Sequence, residues 1–144
     1  MEIVGKKMKD TSAGLMTLVI LALGVAVLIL GISNGDVAIM MIGGFVTFLA
    51  LLVFVIVRMV SKLPEDLVGV DANFITLLHK DIEIPFGEIK KIFPYSTYKS
   101  TDGILYIHTN DGKKHTQVAL HDVASVAKIL NERLDEYKKI RRQS

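Results

Sequence analysis

The sequence contains no cysteine, and its formal net charge is only +2 over 144 residues. Without cysteine the chain has no disulfide, no thiolate nucleophile and no cysteine-based zinc site. So small a charge gives no reason to expect a nucleic acid as partner. Charged residues are missing altogether from two long apolar segments, Ala13–Ile32 and Val37–Val57. These segments hold most of the hydrophobic excess of the chain.

Each apolar segment is long enough to cross a membrane as a helix. At a rise of ~1.5 Å per residue, ~20 helical residues span the ~30 Å hydrocarbon core. A helix also satisfies its own backbone hydrogen bonds there. We therefore predict a transmembrane α-helical hairpin over residues 13–60, joined by Ser33-Asn34-Gly35-Asp36. A cleaved signal peptide is the alternative for the first segment, although that segment exceeds the usual core of ~7–15 residues and a second span follows at once.

Positive residues flank the hairpin on both outer sides, and the connecting loop has none. By the positive-inside rule, both termini face the cytoplasm and the protein crosses the cell membrane twice. Residues 1–12 are then a short cytoplasmic segment whose lysines meet lipid head groups. The flanking residues are Lys6, Lys7, Lys9, Arg58 and Lys62.

Small residues within the spans indicate how the two helices meet. Gly43, Thr47 and Ala50 share one face of the second helix, and Ala22 and Ala26 form a small pair on the first. Small faces let helix backbones approach closely, which drives association in lipid. These faces serve the hairpin itself or, alternatively, dock the helix of another protein. No ionisable residue lies within either span, which argues against a transporter acting alone.

After the linker at residues 61–66 the apolar pattern changes to that of short strands, and residues 67–144 form an α+β domain. Alternating apolar positions and turn residues predict a run of four strands before residue 96. An irregularity is expected at Lys90-Lys91. The predicted strands are Leu67–Val70, Phe74–His79, Ile82–Phe86 and Ile89–Tyr95.

A β-hairpin follows, centred on Asp111-Gly112. This pair supplies the positive φ angles that a tight turn requires. The turn would place Thr109 opposite Lys114 and His108 opposite His115. Gln117 would then point outward, and the inner faces would consist of Leu105, Ile107, Val118 and Leu120.

The chain closes with an amphipathic helix. Its apolar positions recur with a period of 3.6 residues, and Asp122 is placed to cap its start. The end of the helix is basic, which suits the negative pole of the helix dipole. The apolar stripe consists of Val123, Val126, Ala127, Leu130, Leu134 and Tyr137.

The passage VDANFITLLHKDIEIPFGEIKKIF, Val70 to Phe93, resembles the recurring strand–turn–strand and "IP-aromatic-x-x-I" step of bacterial PH-like domains. With the Asp-Gly hairpin and the final helix, the resemblance covers Leu67 to Tyr137. It implies a small curved antiparallel sheet or partly open barrel closed by the C-terminal helix, acting as an interaction module. Many members carry this domain beside two transmembrane helices. The Asp71-Ala72-Asn73 loop lacks the cations of phosphoinositide-binding PH domains, so no specific phosphoinositide binding is expected.

The candidate site residues are few, and none indicates catalysis. His108 and His115 are weak candidates for a metal, because two ligands are too few for a structural site. No cofactor motif, nucleophile elbow or phosphate-binding glycine loop is present. Basic residues are candidates for contact with the membrane surface or a partner. They are Lys90, Lys91, Lys138, Lys139, Arg141 and Arg142.

These observations predict a non-catalytic binding or scaffold protein anchored in the lipid bilayer. We expect it to be an accessory subunit of a membrane complex, with a protein partner or with itself. Small relatives of this layout are similar to immunity proteins against membrane-active bacteriocins, which makes self-protection the alternative. An oligomeric channel-like element is a third hypothesis.

Overall fold

A computed structural model describes residues 1–9, 13–97 and 99–143, and it divides the chain into two compact units. Residues 10–62 form the hairpin unit, and residues 1–9 with 63–144 form the sheet unit. The three helices are α1 (Ala13–Asn34), α2 (Val37–Ser61) and α3 (Val123–Gln143). The seven strands are β1 (Glu2–Lys6), β2 (Asp66–Val70), β3 (Phe74–Leu77), β4 (Ile82–Pro85), β5 (Ile89–Ser96), β6 (Gly103–Thr109) and β7 (Lys114–Leu120).

The hairpin unit consists of two antiparallel helices with a connection shorter than the sequence predicted, because α1 continues through Asn34. Only Gly35 and Asp36 remain between the helices. Gly35 takes a positive φ of 65°, and the Asp36 carboxylate accepts hydrogen bonds from the amides of Ala38 and Ile39 at 2.9 and 3.2 Å. Both helices are long and apolar enough to cross a membrane.

Three glycines allow the two helices to pack against each other closely. A Cβ on Gly43 would lie 2.5 Å from the amide nitrogen of Leu28, so only glycine fits this position. Thr47 donates its hydroxyl to the carbonyl of Gly43 at 2.7 Å, which removes a polar group from the apolar surface. The close pairs across the interface are Gly31 with Met40, Leu28 with Gly43, and Gly24 with Thr47.

On α2, the predicted small face lies at the interface, where Gly43 and Ala50 are buried. On α1 the structure differs from the prediction. Ala22 and Ala26 are exposed, and Gly24 and Gly31 are buried in their place. The spacing of seven residues between the two glycines keeps them on one side of the helix over two turns.

The sheet unit contains two antiparallel sheets, of four and three strands. The first has the strand order β1-β2-β3-β4 and the second β5-β6-β7. The sequence analysis did not identify β1, because Glu2–Lys6 appeared to be only a polar flank. The predicted irregularity at Lys90-Lys91 is present as a register shift between Ile89 and Lys91. The described strands do not close into a barrel.

β1 connects the two sheets. The amide of Lys7 donates to the carbonyl of Glu65 at 2.7 Å, on the side of β2. On the other side, the amide of Met8 donates to the carbonyl of Ala119 at 2.8 Å, and the amide of His121 donates to the carbonyl of Lys6 at 2.9 Å. The hairpin unit is therefore an insertion between two strands, β1 and β2, that pair directly with each other.

Gly5 makes the close packing of β1 possible. A Cβ at this position would lie 2.8 Å from Cβ of Val68 and 2.9 Å from Cδ2 of Leu120. These two residues belong to β2 and β7, so the strand passes between both sheets at a point with no room for a side chain.

The β6–β7 hairpin has a different register from the predicted one. Thr109, Asn110, Asp111 and Gly112 form a turn closed by a hydrogen bond from the Gly112 amide to the Thr109 carbonyl, and only Gly112 has a positive φ, 87°. This is the three-residue loop with a glycine in the left-handed region, whereas the prediction assumed an even-numbered loop.

The loop is one residue shorter than the predicted four-residue loop, and this changes which side chains of β7 face the core. His108 lies opposite Lys114, and Ile107 lies opposite His115. Gln117 is consequently buried and Val118 exposed, the reverse of the prediction. A bulge at Ala119, with a φ of 60°, restores the predicted inward position of Leu120.

The core of the sheet unit lies between the two sheets and α3. The stripe predicted for α3 is confirmed: its first five members are buried and Tyr137 packs against the same cluster. The largest core side chain is Phe86, in the 3₁₀ turn Phe86–Glu88 between β4 and β5. Apolar burial of this kind, at roughly 25 cal/mol per Å², is the main stabilising contribution in a small domain.

Candidate functional site

Two grooves lie beside the C-terminal half of α3, where the helix passes the 3₁₀ turn. One has a volume of about 780 Å³ and the other of about 350 Å³. Phe86, Tyr137 and Arg141 line both of them. The two grooves share a wall but differ in their charged residues.

The packing of α3 determines which of its basic residues reach the smaller groove. Tyr137 is the last member of the buried stripe, and its ring lies 5.6 Å from that of Phe86. This contact fixes the helix against the 3₁₀ turn. Lys138, Arg141 and Arg142 follow at one, four and five residues after Tyr137, so they share the side of the helix that borders the groove. Lys139 lies outside the lining.

A β-bulge brings a fourth cation into the smaller groove. The register shift of β5 leaves both Lys90 and Lys91 exposed, although side chains in a regular strand alternate between faces. Lys90 lines the groove. Lys91 lies instead over the ring of Phe93, 5.1 Å from its centroid. The bulge thus separates the two neighbouring lysines that the sequence grouped together.

Asn110 closes the smaller groove on the side of the β6–β7 turn. Its side-chain amide donates to the carbonyl of Gly87 at 3.3 Å, and its backbone amide donates to the carbonyl of Glu88 at 2.8 Å. These bonds hold the turn against the 3₁₀ turn. The sequence analysis missed Asn110 because nothing in its spacing showed that the two turns meet.

The smaller groove has a net positive charge, because none of the described residues that line it is acidic. Among the residues that the structure describes, its lining contains four cations and no carboxylate. Within the described part of the chain, no ion pair or hydrogen bond engages the four side chains, which are Lys90, Lys138, Arg141 and Arg142. We call this cavity the basic groove. Planar guanidinium groups favour two-pronged hydrogen bonding to carboxylate or phosphate oxygens.

The larger groove has charges of both signs that pair with each other. Arg133 lies between two carboxylates, with nitrogen–oxygen distances of 2.9 Å to Glu2 and 3.6 Å to Glu136. Asp71 also contributes to the lining. A ligand of either charge would therefore have to displace existing ion pairs, which makes this groove the weaker candidate.

The dipole of α3 opposes an anion in the basic groove only weakly. The C-terminal end of a helix carries the equivalent of about half a negative charge. Four side-chain cations exceed that charge several times over. The basic groove consequently keeps a positive potential and can hold an anionic group.

The histidines proposed as a weak metal site do not face each other. His108 pairs with Lys114 across the strands and His115 with Ile107, so the two imidazoles project from opposite faces of the sheet. Among the described residues there is no group of three or more His, Cys, Asp or Glu side chains that could hold a metal ion.

No protein-family model, curated protein or solved structure matches this chain. The function of this chain is therefore proposed from its two units, their connection and the basic groove.

Proposed function

We propose that this protein is a membrane-anchored, non-catalytic binding module that works as an accessory or scaffold subunit of a membrane complex. Its partner is a protein with an acidic segment that binds in the basic groove. The observation that carries this proposal is the set of four cations, contributed by β5 and α3, that line one groove without any carboxylate.

The hairpin unit supplies the membrane anchor. Only 17% and 11% of the most apolar stretches of α1 and α2 are buried, whereas a core helix of a water-soluble protein buries most of its apolar surface. The hairpin is inserted between paired strands, so the outer ends of both helices connect to one folded unit. This connection supports placing both ends on the same side of the membrane, and by the positive-inside rule we propose that this side is the cytoplasm.

The sheet unit supplies the binding domain, for which we propose a PH-like identity. Support comes from its architecture of four plus three antiparallel strands followed by a helix packed on the core. Domains of this type act by contact rather than by chemistry. The insertion of the hairpin between the first two strands is a feature that the resemblance did not include.

Attachment to a membrane allows a groove of low intrinsic affinity to bind its partner. Confining the domain and its partner to one bilayer raises their effective concentration, so a few charge-assisted contacts suffice. Exposed ion pairs of about 0.2–1 kcal/mol each would give little affinity in solution. We therefore expect binding that depends on salt and on the anchor.

The test is crosslinking of the full chain in the membranes of its host, followed by purification in mild detergent and mass spectrometry. The double variant Lys138→Glu with Arg141→Glu reverses the charge of the basic groove. We expect a stoichiometric partner with the wild type and its loss with this variant. The matched control, Lys128→Glu with Lys139→Glu, changes the same charge on the same helix outside the groove and should retain the partner. A partner that survives reversal of the groove, or no partner at all, would refute the proposal.

A second experiment tests the topology, and the absence of native cysteine makes it free of background. Asn34→Cys lies at the C-terminal end of α1, next to the connection between the helices, and Ser125→Cys lies on the exposed side of α3. A maleimide that cannot cross membranes should label Asn34→Cys in intact cells and Ser125→Cys only after permeabilisation. The opposite pattern would place the sheet unit outside the cell.

A further inference from the structure

The outer face of the β5-β6-β7 sheet is a second surface of unusual composition. Its opposite face points into the core, since Leu105 and Ile107 are fully buried. The outward side chains of the three strands fall into three rows, and none of these rows contains a carboxylate. We call this surface the sheet face.

One end of the sheet face is basic. Its first row consists of Lys91, His108 and Lys114, which lie side by side across the three strands. A third lysine lies near β7, where the ammonium group of Lys80 donates to the carbonyl of Thr116 at 2.6 Å. This end of the face therefore favours an anionic surface.

The middle of the sheet face is aromatic. Phe93 and Tyr106 stack with ring centroids 5.1 Å apart and an angle of 12°. His108 meets the edge of Phe93 at 5.0 Å. The rings form a rigid, half-buried platform. Aromatic side chains with polar tips are enriched where an apolar phase meets water.

The other end of the sheet face is apolar and lies where the chain leaves for the hairpin. Its residues are Tyr95 and Ile104, which lie opposite each other, and Val118 of β7, whose side chain is exposed beside the buried Gln117. Tyr95 and Val118 are 57% and 45% exposed, and we call these three residues the apolar row. Val118 directly precedes Ala119, whose carbonyl accepts the amide of Met8. The apolar end is thus adjacent to the point from which the chain continues towards α1.

We infer that the sheet face docks on the surface of a bilayer containing anionic lipids, with the apolar row of Tyr95, Ile104 and Val118 inserted deepest. The order of the rows matches the layers of a membrane surface, since the apolar row would enter the acyl boundary while the lysines remain at the head groups. This inference rests on the proposed membrane anchor, which holds the sheet unit near the lipid. A protein partner is less favoured. The apolar row lies beside Met8, from which the chain leads to the proposed membrane anchor, and none of its residues lines the basic groove.

The test uses the full chain reconstituted in liposomes, with single cysteines carrying an environment-sensitive fluorophore. The probe is a phospholipid with a spin label that quenches fluorescence on contact. We expect Val118→Cys and Tyr95→Cys to be quenched severalfold more than Ser125→Cys, and more in anionic than in zwitterionic liposomes. Lys91→Glu with Lys114→Glu should abolish the preference for anionic lipid, whereas Lys128→Glu should not.

A label at Phe48, on the exposed side of α2, separates failure of this inference from failure of the anchor. If Phe48→Cys is quenched and Val118→Cys is not, the hairpin spans the bilayer and the docking inference is wrong. If neither is quenched, the proposed anchor itself is wrong. Energy transfer between labels at Val118 on two copies, without lipid quenching, would assign the sheet face to self-association and would also overturn the inference.

Discussion

The hairpin unit and the sheet unit bury opposite classes of side chain. The hairpin unit buries Gly24, Gly31, Gly43 and Ala50 and leaves most of its large apolar residues exposed. The sheet unit buries its large residues and exposes its charges. In water the exclusion of apolar surface favours the second arrangement. In lipid that driving force is absent between helices, and close backbone packing replaces it. The two patterns are those expected if the hairpin unit lies in lipid and the sheet unit in water.

The first prediction concerns a large residue of the sheet unit. Leu130→Ala leaves a cavity in the core, because Leu130 is fully buried, and we expect a loss of about 2–5 kcal/mol of unfolding free energy. Denaturant unfolding of the reconstituted protein, followed by a fluorophore at Ser125→Cys, measures it. Leu51→Ala is the matched control in the hairpin unit, where Leu51 is half-exposed. An equal loss of unfolding free energy in both variants would show that large apolar side chains contribute equally to the stability of the two units.

The second prediction makes the opposite change in the hairpin unit. Gly43→Val inserts a side chain where α1 is already in contact with α2, and we expect a cost of about 1–3 kcal/mol in helix association. The control is Gly14→Val, because a Cβ at Gly14 would meet nothing within 4 Å. Disulfide trapping between cysteines on the two helices reports the association. Efficient trapping in Gly43→Val would show that the helices do not depend on close backbone contact.

The third prediction concerns a polar residue in the apolar core. Gln117 is buried, and its side-chain carbonyl oxygen has no hydrogen-bond partner among the described residues. Gln117→Leu removes that group at similar volume, and we expect a gain of about 1 kcal/mol in stability. Gln117→Glu buries a charge instead and should destabilise the sheet unit. A loss of stability in the leucine variant would indicate that the amide has a structural role.

The smallest expected effect is at the β6–β7 turn and depends on pH. The Asp111 carboxylate accepts hydrogen bonds from the Thr109 hydroxyl and from Lys113, which lower its pKa from the ordinary 3.8 to about 2. A depressed pKa means that the carboxylate stabilises the folded state above pH 4, and this contribution is lost as the pH falls towards 2. Asp111→Asn should remove the corresponding slope from a plot of stability against pH. An unchanged slope would assign it to other carboxyl groups.

Periodicity predicted most of the secondary structure, because the apolar stripe of α3 and the two uncharged runs are long and regular. The same reasoning misplaced Val118 and Gln117, since a change of one residue in the length of the loop moves the side chains that follow it to the other face of the strand. β1 was missed because Glu2–Lys6 has no alternation, and its strand pairing comes from tertiary contacts. The basic groove was predicted only in parts, as lysines and arginines from two separate stretches, since sequence spacing does not reveal which elements meet.

The position of β1 has a consequence for the order in which the protein can be made. The ribosome releases β1 before the two helices, but its neighbour β2 is synthesised only after both of them. The pairing of β1 with β2 therefore closes over the entire hairpin, and the sheet unit cannot complete its core before α2 has emerged. A folded sheet unit is then a sign that the preceding hairpin has been made in full. A chain that stops after α1 would display neither the basic groove nor the sheet face.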